Sequence, residues 1–322
     1  MMISKIEAAA ACLAGHARVT PLLNAPLLDA EAGRRIYVKA ECLQKTGSFK
    51  YRGGRSALSV LDAETRARGV LAYSSGNHAQ GVALAAREFG VPAVIVMPAD
   101  APRSKIDATR AYGAEVVLYD REAEDRDEIG AALAEARRLT LIKPFDNEDV
   151  IAGQGTTGLE IAAQAAELGI KGAKVLVPCG GGGLTSGIAA ALAARAPGLV
   201  VHPVEPEGFD DVARSLSAGA IVTNNRRSGS VCDAILTPAP GVVTFPLLAA
   251  HARPGLTVTD AQALAAVATA FRYLRIVVEP GGAVALAAAL ALPGDEDVIA
   301  VASGGNIDPV VFTAALAARQ CD

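Results

Sequence analysis

Short runs of β-branched and other apolar residues alternate along this chain with longer stretches rich in alanine and leucine. The short runs are apolar throughout, which is typical of strands buried on both faces, and the longer stretches have the composition of helices. Strands connected through helices pair in parallel, and the helices cover both faces of the sheet. The pattern therefore predicts the α/β class. The predicted strands are RIYVKAE (35–41), VLAYSS (70–75), AVIVMP (93–98), EVVLYD (115–120), LIKPF (141–145), KVLVPC (174–179), LVVHPVEP (199–206) and VIAVAS (298–303).

The spacing of these elements indicates two structural units. Three or four strands recur at regular intervals between Val70 and Lys143, separated by helical stretches such as HAQGVALAAREFG and RSKIDATRAYG. We expect a small domain over residues 69–147 and a large domain built from residues 1–68 and 148–322. The start of the chain superficially resembles a signal peptide, but Glu7 interrupts the apolar run. An amphipathic first helix is the favoured interpretation.

Composition and charge exclude several classes of protein. The 30 Lys and Arg residues against 34 Asp and Glu residues give a net charge of −4, and no basic run is present, so a nucleic-acid partner is not expected. No apolar run reaches the ~18–20 residues that cross a bilayer, so no membrane partner is expected. The five cysteines are widely spaced and form no CxxC pair, which argues against a disulfide framework or a zinc site. A cytoplasmic location fits these features best.

A glycine-rich turn gives the strongest local signal for ligand binding. In KVLVPCGGGGLTSGIAAAL a strand pattern runs into Gly180, Gly181, Gly182 and Gly183 and then directly into a helix. Converging backbone N–H groups at a helix N-terminus favour a phosphate group, whereas the alternative is a tight turn between packed elements. The dinucleotide fingerprint GxGxxG is not met, yet Glu205 lies about 20 residues on, where a ribose-binding acid would lie. An NAD-dependent oxidoreductase therefore stays an alternative.

One lysine stands in an unusual setting. Lys50 is one of eight lysines and lies in TGSFKYRGG, after an aromatic residue and before two glycines. Such a setting suits an amine that is held partly desolvated and forms a Schiff base with an aldehyde cofactor. Polar turns follow two other predicted strands, SSGNHAQG after residue 73 and SGGN after residue 302, and VVEPGGAVAL places Glu279 before a helix. Ligands of α/β proteins bind at such strand ends.

These motifs resemble those of the serine/threonine dehydratases and serine racemases, which are pyridoxal-phosphate (PLP) enzymes of fold type II. The resemblance covers about Val19 to Asp308, where SFKYRGG, SSGNHAQG, VIAGQGT, PCGGGGL, VEP and SGGN occur in the family's order. It implies two open, mostly parallel α/β/α domains of the tryptophan synthase β-like type. It also implies a homodimer that acts on a small amino acid substrate.

The resemblance assigns roles to particular residues. Lys50 would hold PLP as a Schiff base, Phe49 would pack on its ring, Asn77 would bond its 3-hydroxyl and Ser303 would contact its pyridine nitrogen. A serine partner leaves the electron sink weak, which suits β-elimination better than transamination. The residues assigned to the cofactor are Phe49, Lys50, Asn77, Gly180, Gly181, Gly182, Gly183, Leu184, Glu279 and Ser303. The residues expected to hold the substrate are Ser74, Ser75, Gly76, Asn77, His78 and Arg126.

The implied reaction is an ammonia-lyase reaction on a β-hydroxy-α-amino acid such as L-threonine or L-serine. The substrate amine would displace Lys50 from the cofactor, and Lys50 would then remove the α-proton. Loss of the β-hydroxyl would give an aminoacrylate, which hydrolyses to a 2-oxo acid and ammonia. Ser75 lies where the racemases keep a base on the opposite face, so serine or aspartate racemization is an alternative, although Phe145 is more like the dehydratases. For His78, a hydrogen-bonded role at a helix start is as well supported as acid–base chemistry. Since no regulatory domain follows the last helix, feedback by isoleucine is not expected.

Two further sites depend on alignment with the family. Glu205, the Phe209 carbonyl and Asp211 have spacings of 0, +4 and +6, which resembles the family's divalent-cation loop and suits Mg²⁺ or Ca²⁺. A solvated acidic turn is the alternative. Arg126 aligns with an arginine of the racemases that reaches a distal carboxylate, which makes 3-hydroxyaspartate an alternative substrate. The acidic neighbours Asp125 and Asp127 favour a plain surface arginine instead.

Overall fold

The computed structural model describes residues 1–74, 76–120 and 122–318. The strands of these residues are β1 (Leu22–Leu23), β2 (Ile36–Lys39), β3 (Val70–Tyr73), β4 (Ala93–Pro98), β5 (Glu115–Tyr119), β6 (Thr140–Leu141), β7 (Ala173–Pro178), β8 (Leu199–Pro206), β9 (Leu256–Val258) and β10 (Val298–Val301). The α-helices are α1 (Met2–Leu13), α2 (Pro26–Ala32), α3 (Lys50–Ser59), α4 (Ala63–Arg68), α5 (Asn77–Phe89), α6 (Arg103–Ala111), α7 (Arg126–Arg137), α8 (Glu148–Glu167), α9 (Gly183–Arg195), α10 (Asp211–Ala218), α11 (Thr244–His251), α12 (Asp260–Thr269), α13 (Pro280–Ala291) and α14 (Pro309–Ala318).

The described strands form two separate sheets. A six-stranded sheet has the order β1-β2-β10-β7-β8-β9, and a four-stranded sheet has the order β5-β4-β3-β6. Every pairing is parallel except that between β1 and β2. The predicted α/β class with mostly parallel sheets is therefore confirmed. The four-stranded sheet spans Val70 to Leu141, which supports the division at residues 69–147, and that division stays a prediction.

Alternating side chains show that the six-stranded sheet is covered on both faces. On β10, Val298 and Ala300 belong to the core cluster that contains α13, whereas Ile299 and Val301 belong to the cluster that contains α9. Successive side chains of a strand point to opposite faces. Because helices cover both faces of this sheet, all four residues are buried. This explains why the strand reads as continuously apolar in the sequence.

The strand predictions differ from the structure mainly at the ends. AVIVMP and LVVHPVEP match β4 and β8 residue for residue, whereas RIYVKAE is longer than β2 and LIKPF reduces to the two-residue β6. The short strands β1 and β9 carry too few residues for a periodic signal and are missing from the prediction. The predicted first helix is confirmed as α1. Among the described residues, no helix is both long and apolar enough to cross a membrane.

A buried ionic cluster joins α3 to the six-stranded sheet and to α8. The Arg52 guanidinium donates to both carboxylate oxygens of Glu41 at 2.8 Å and to both oxygens of Glu160 at 2.6 and 2.9 Å. Lys39 on β2 donates to the same Glu160 at 2.6 Å. Arg52, Glu41 and Lys39 are almost fully buried. This cluster fixes the first turn of α3, the turn that begins with Lys50.

Candidate active site

The carboxyl ends of strands from both sheets meet at one cavity of about 270 Å³. The turns after β3, β7 and β10 all contribute to its wall, as expected for ligand sites in parallel sheets. Of the residues predicted for cofactor or substrate, those that line it are Phe49, Lys50, Ser74, Gly76, Asn77, His78, Arg126, Gly180, Gly181, Gly182, Gly183, Leu184, Glu279 and Ser303. Ser75, predicted as a catalytic residue, lies outside the described residues. The fold thus gathers residues that are far apart in the sequence.

Lys50 is the first residue of α3 and projects its amine into the cavity wall. Its Nζ donates a hydrogen bond to the Pro144 carbonyl at 2.8 Å and lies 5.1 Å from the centre of the Phe49 ring. Burial lowers the pKa of this amine to about 8, because removal from water disfavours the charged form. A larger fraction of the amine is therefore neutral near pH 8 than for an ordinary lysine, as Schiff-base formation requires.

The glycine turn lies between β7 and α9. Gly182 has a φ of 92°, a left-handed conformation that favours glycine, and it caps the N-terminus of the 13-residue helix α9. A Cβ at Gly181 would lie 2.3 Å from the Phe145 ring, so only glycine permits this packing. The Thr244 hydroxyl donates to the Gly181 carbonyl at 2.7 Å and holds the turn. Backbone N–H groups at the start of α9 suit a phosphate.

Asn77 begins α5 and is held from two sides, by Asn306 in the loop after β10 and by Glu279 at the N-terminus of α13. Its Oδ1 accepts from Nδ2 of Asn306 at 2.7 Å, and its own Nδ2 donates to Oε1 of Glu279. Burial raises the pKa of Glu279 to about 7, and its second oxygen is buried without a hydrogen-bond partner. A partnerless buried carboxylate oxygen in a ligand cavity fits a polar ligand that is not part of the chain.

His78 is buried at the start of α5 and serves as a hydrogen-bond donor. Its Nε2 lies 2.8 Å from the Ile142 carbonyl, and because a carbonyl only accepts, Nε2 carries the proton. Burial and the nearby Lys50 lower the pKa of the His78 ring to about 3, so the ring is neutral. This favours the hydrogen-bonded role over acid–base chemistry. Ser74 is close by, where its Oγ accepts from the Gly76 N–H at 3.1 Å.

Arg126 begins α7 and lines the cavity, although it is an exposed residue. Its guanidinium carbon lies 5.7 Å from the centre of the Tyr73 ring, at the end of β3. Two charged residues of the cavity were not predicted from the sequence, Lys105 and its ion-pair partner Asp233 at 3.4 Å. Neither lies in a motif, and only its position after β4, at a strand end, could have indicated Lys105.

The predicted cation loop lies at the start of α10, and its residues Glu205, Phe209 and Asp211 do not line the cavity. Glu205, Phe209 and Asp211 are all buried, which contradicts the alternative of a solvated acidic turn. The Glu205 oxygens accept from the backbone N–H groups of Val212 and Ala213 at 2.9 and 2.8 Å. Asp211 Oδ2 is buried without a hydrogen-bond partner.

The negative charges of the Glu205 and Asp211 carboxylates repel each other. Burial and the neighbouring Asp211 raise the pKa of Glu205 well above its usual range, and burial raises the pKa of Asp211 to about 6. A bound cation would offset this cost, although no group of three or more His, Cys, Asp or Glu residues suited to a metal occurs in the described part of the chain. The cation stays a prediction.

The chain is similar to known proteins over most of its length. The family model described as "Pyridoxal-phosphate dependent enzyme" matches residues 13–304. An L-threo-3-hydroxyaspartate ammonia-lyase of Pseudomonas sp is 44% identical over 303 residues, which cover 93% of each chain. The crystal structure of the T.th. threonine deaminase is 46% identical, has a TM-score of 0.89 and covers 95% of this chain and 98% of that one. The structure of maize serine racemase is 33% identical, has a TM-score of 0.91 and covers 99% and 97%.

These likenesses extend over nearly the whole chain, and they confirm both the predicted fold type II architecture and the predicted kinship with the dehydratases and racemases. The NAD-dependent alternative is wrong, because the family match covers the glycine turn and Glu205 alike. The chain belongs to the family of pyridoxal-phosphate dependent enzymes.

Proposed function

We propose that this enzyme is an ammonia-lyase that removes water from 3-hydroxyaspartate and releases a 2-oxo acid and ammonia. The observation that carries this proposal is the presence of Arg126 in the same cavity as Lys50. A second carboxylate on the substrate requires a cation, since an unpaired buried carboxylate is very costly. The guanidinium of an arginine is the natural bidentate partner of a carboxylate. The 44% identical Pseudomonas relative, named for L-threo-3-hydroxyaspartate, supports the same substrate.

The residues of the cavity fit pyridoxal phosphate. The buried amine of Lys50, the partnerless oxygen of Glu279 and the glycine turn at the start of α9 offer a Schiff-base partner, a polar contact and an anion site. When bound, the cofactor supplies an electron sink that makes the α-proton of an amino acid acidic. The residues proposed to hold it are Phe49, Lys50, Asn77, Gly180, Gly181, Gly182, Gly183, Leu184, Glu279 and Ser303.

The chain's own groups divide the proton handling between them. Lys50 accepts the α-proton, because burial leaves its amine able to be neutral near pH 8 and the Pro144 carbonyl orients it. Glu279, whose pKa burial raises to about 7, carries or releases a proton near neutral pH beside Asn77. His78 stays neutral and positions the start of α5 through Ile142. The Ser74–Asn77 turn receives the substrate α-carboxylate.

Deamination of L-threonine or L-serine is the second candidate. It is supported by the 46% identical T.th. threonine deaminase, and it requires no cation for the substrate side chain. Racemization depends on Ser75, which lies outside the described residues. Because the maize relative is named serine racemase, racemization is a side activity to test. A homodimer, a cytoplasmic location and a structural divalent cation at Glu205, Phe209 and Asp211 remain parts of the proposal.

Ammonia release from a panel of substrates tests these candidates. The panel contains the stereoisomers of serine, threonine and 3-hydroxyaspartate, each assayed with the PLP-loaded enzyme. We expect the highest kcat/KM with a stereoisomer of 3-hydroxyaspartate. A higher kcat/KM with L-threonine or L-serine would favour the second candidate, and formation of D-serine without ammonia would favour a racemase. A colourless protein that releases no ammonia from any of them would overturn the proposed function.

A further inference from the structure

A lysine–aspartate ion pair at the cavity, Lys105–Asp233, joins two elements that are far apart in the sequence. Lys105 lies on α6, which follows β4 of the four-stranded sheet, and Asp233 begins a short 3₁₀ helix (Asp233–Ile235) that packs against α13. Their Nζ and Oδ2 atoms lie 3.4 Å apart, and both residues line the cavity. The Lys105 side chain is 11% exposed and that of Asp233 is 60% exposed. The amine is thus enclosed, whereas its partner is largely in water.

The Lys105 amine also lies beside the turn that receives the substrate. A Cβ placed on Gly76 would be 3.6 Å from the Lys105 Nζ, so the amine lies next to Gly76, just before α5. Arg126 approaches the cavity over the Tyr73 ring instead. Lys105 and Arg126 therefore line different parts of the cavity, Lys105 next to Gly76 and Arg126 next to Tyr73. An amino acid with one carboxylate needs only one of them, and a dicarboxylate can use both.

We propose that Lys105 binds the α-carboxylate of the substrate and that Asp233 is the partner from which the substrate displaces it. An ion pair with an exposed member is weak, because water screens it. A carboxylate that enters the enclosed cavity offers Lys105 a charge-assisted hydrogen bond that water screens less. Asp233 keeps the amine aimed into the cavity while no substrate is present, and it competes with the substrate for the same amine. The inference rests on the proposed function only in that the ligand is an α-amino acid.

Binding of L-alanine to the PLP-loaded enzyme tests this competition, because L-alanine has the α-carboxylate but no leaving group. The change in cofactor absorbance gives its Kd. We expect Lys105→Met to raise the Kd about tenfold or more, through loss of a charge-assisted hydrogen bond. We expect Asp233→Asn to lower the Kd by up to about fivefold, because the competitor is removed. In the Lys105→Met background, Asp233→Asn should have no effect, which separates competition from a general change in charge. Lys171→Met removes an exposed lysine and serves as the control.

Kinetics with several substrates complete the test. If Lys105 binds the α-carboxylate, Lys105→Met raises KM by similar factors for serine, threonine and 3-hydroxyaspartate and changes kcat little. An unchanged Kd for L-alanine in Lys105→Met overturns the inference. A higher Kd for L-alanine in Asp233→Asn also overturns it, because the pair would then only stabilise the structure. An increase in KM of Lys105→Met that is confined to 3-hydroxyaspartate overturns it as well. Absence of ammonia release from every hydroxy amino acid overturns the proposed function alone, because the L-alanine titration does not depend on elimination.

Discussion

Asn306 and Asn77 are hydrogen-bonded across the boundary between the two sheets, with 2.7 Å between Nδ2 and Oδ1. Asn306 follows β10 of the six-stranded sheet, whereas Asn77 begins α5, the helix after β3 of the four-stranded sheet. Since Oδ1 of Asn77 accepts this bond, its Nδ2 must face Glu279. The orientation of the amide proposed to contact the cofactor is therefore set by Asn306 and Glu279, which lie outside the four-stranded sheet and far from Asn77 in the sequence.

Replacement of Lys50 by alanine tests its assignment as the cofactor lysine. We expect Lys50→Ala to lose both the Schiff-base absorbance band, which borohydride abolishes in the parent enzyme, and ammonia release. The physical reason is that no other lysine of the cavity follows an aromatic residue and precedes a double glycine. Lys171→Ala should keep both properties. A Lys50→Ala enzyme that still turns over substrate would contradict the assignment.

Uptake of the cofactor by the apoenzyme should depend on pH through Lys50. Only the neutral amine attacks an aldehyde, and burial lowers the pKa of Lys50 to about 8. The uptake rate is therefore expected to rise about tenfold per pH unit below pH 8 and to level off above it. Stopped-flow absorbance between pH 6 and about 10.5 measures this profile. A midpoint near 10.4, the ordinary lysine value, would show that burial does not tune this amine.

Local signals in the sequence predicted the elements that carry the site but not the contacts between them. The strand LVVHPVEP and the glycine turn after Pro178 are readable because periodicity and glycine content act over neighbouring residues. The Lys105–Asp233 pair joins residues 128 positions apart, and the Asn77–Glu279 bond joins residues 202 positions apart. Such pairs depend on how the sheets face each other. No local pattern specifies this.

Removal of Arg52 should strongly destabilise the fold. Glu41 is fully buried and Glu160 is mostly buried, so Arg52→Met leaves two carboxylates without their main partner. Breaking a buried pair of this kind costs about 3–5 kcal/mol in the free energy of unfolding. Arg35→Met is a matched control, because Arg35 pairs with Asp297 but is 60% exposed, and such pairs contribute about 0–1 kcal/mol. Urea unfolding measures both, and equal small losses would contradict the importance of the buried cluster.

Chelation tests the cation proposed for the α10 loop. If a divalent ion offsets the repulsion between Glu205 and Asp211, EDTA should lower the Tm by several degrees or lower activity. Asp211→Asn should reproduce the loss and make the Tm insensitive to EDTA, since one hard ligand is gone. Glu296→Gln, which changes an exposed carboxylate, is the control. Unchanged Tm and activity after both chelation and Asp211→Asn would mean that the loop folds without an ion.

The proposed substrate depends on Arg126, and comparison of two substrates isolates its role. In Arg126→Ala the distal carboxylate of 3-hydroxyaspartate would enter the cavity without its cation, whereas serine carries no such group. We expect kcat/KM for 3-hydroxyaspartate to fall about a hundredfold or more, because a desolvated charge loses its partner. The kcat/KM for L-serine should fall little.

Two further variants separate binding from helix stability. Arg137→Ala removes an exposed arginine from the other end of α7 and should affect neither substrate. Arg126→Lys keeps the charge but not the bidentate geometry, so it should restore only part of the lost kcat/KM for 3-hydroxyaspartate. Equal, small effects of Arg126→Ala on both substrates would return Arg126 to the role of a surface residue. Deamination of threonine or serine would then be the better supported activity, because the second carboxylate would have no proposed partner on α7.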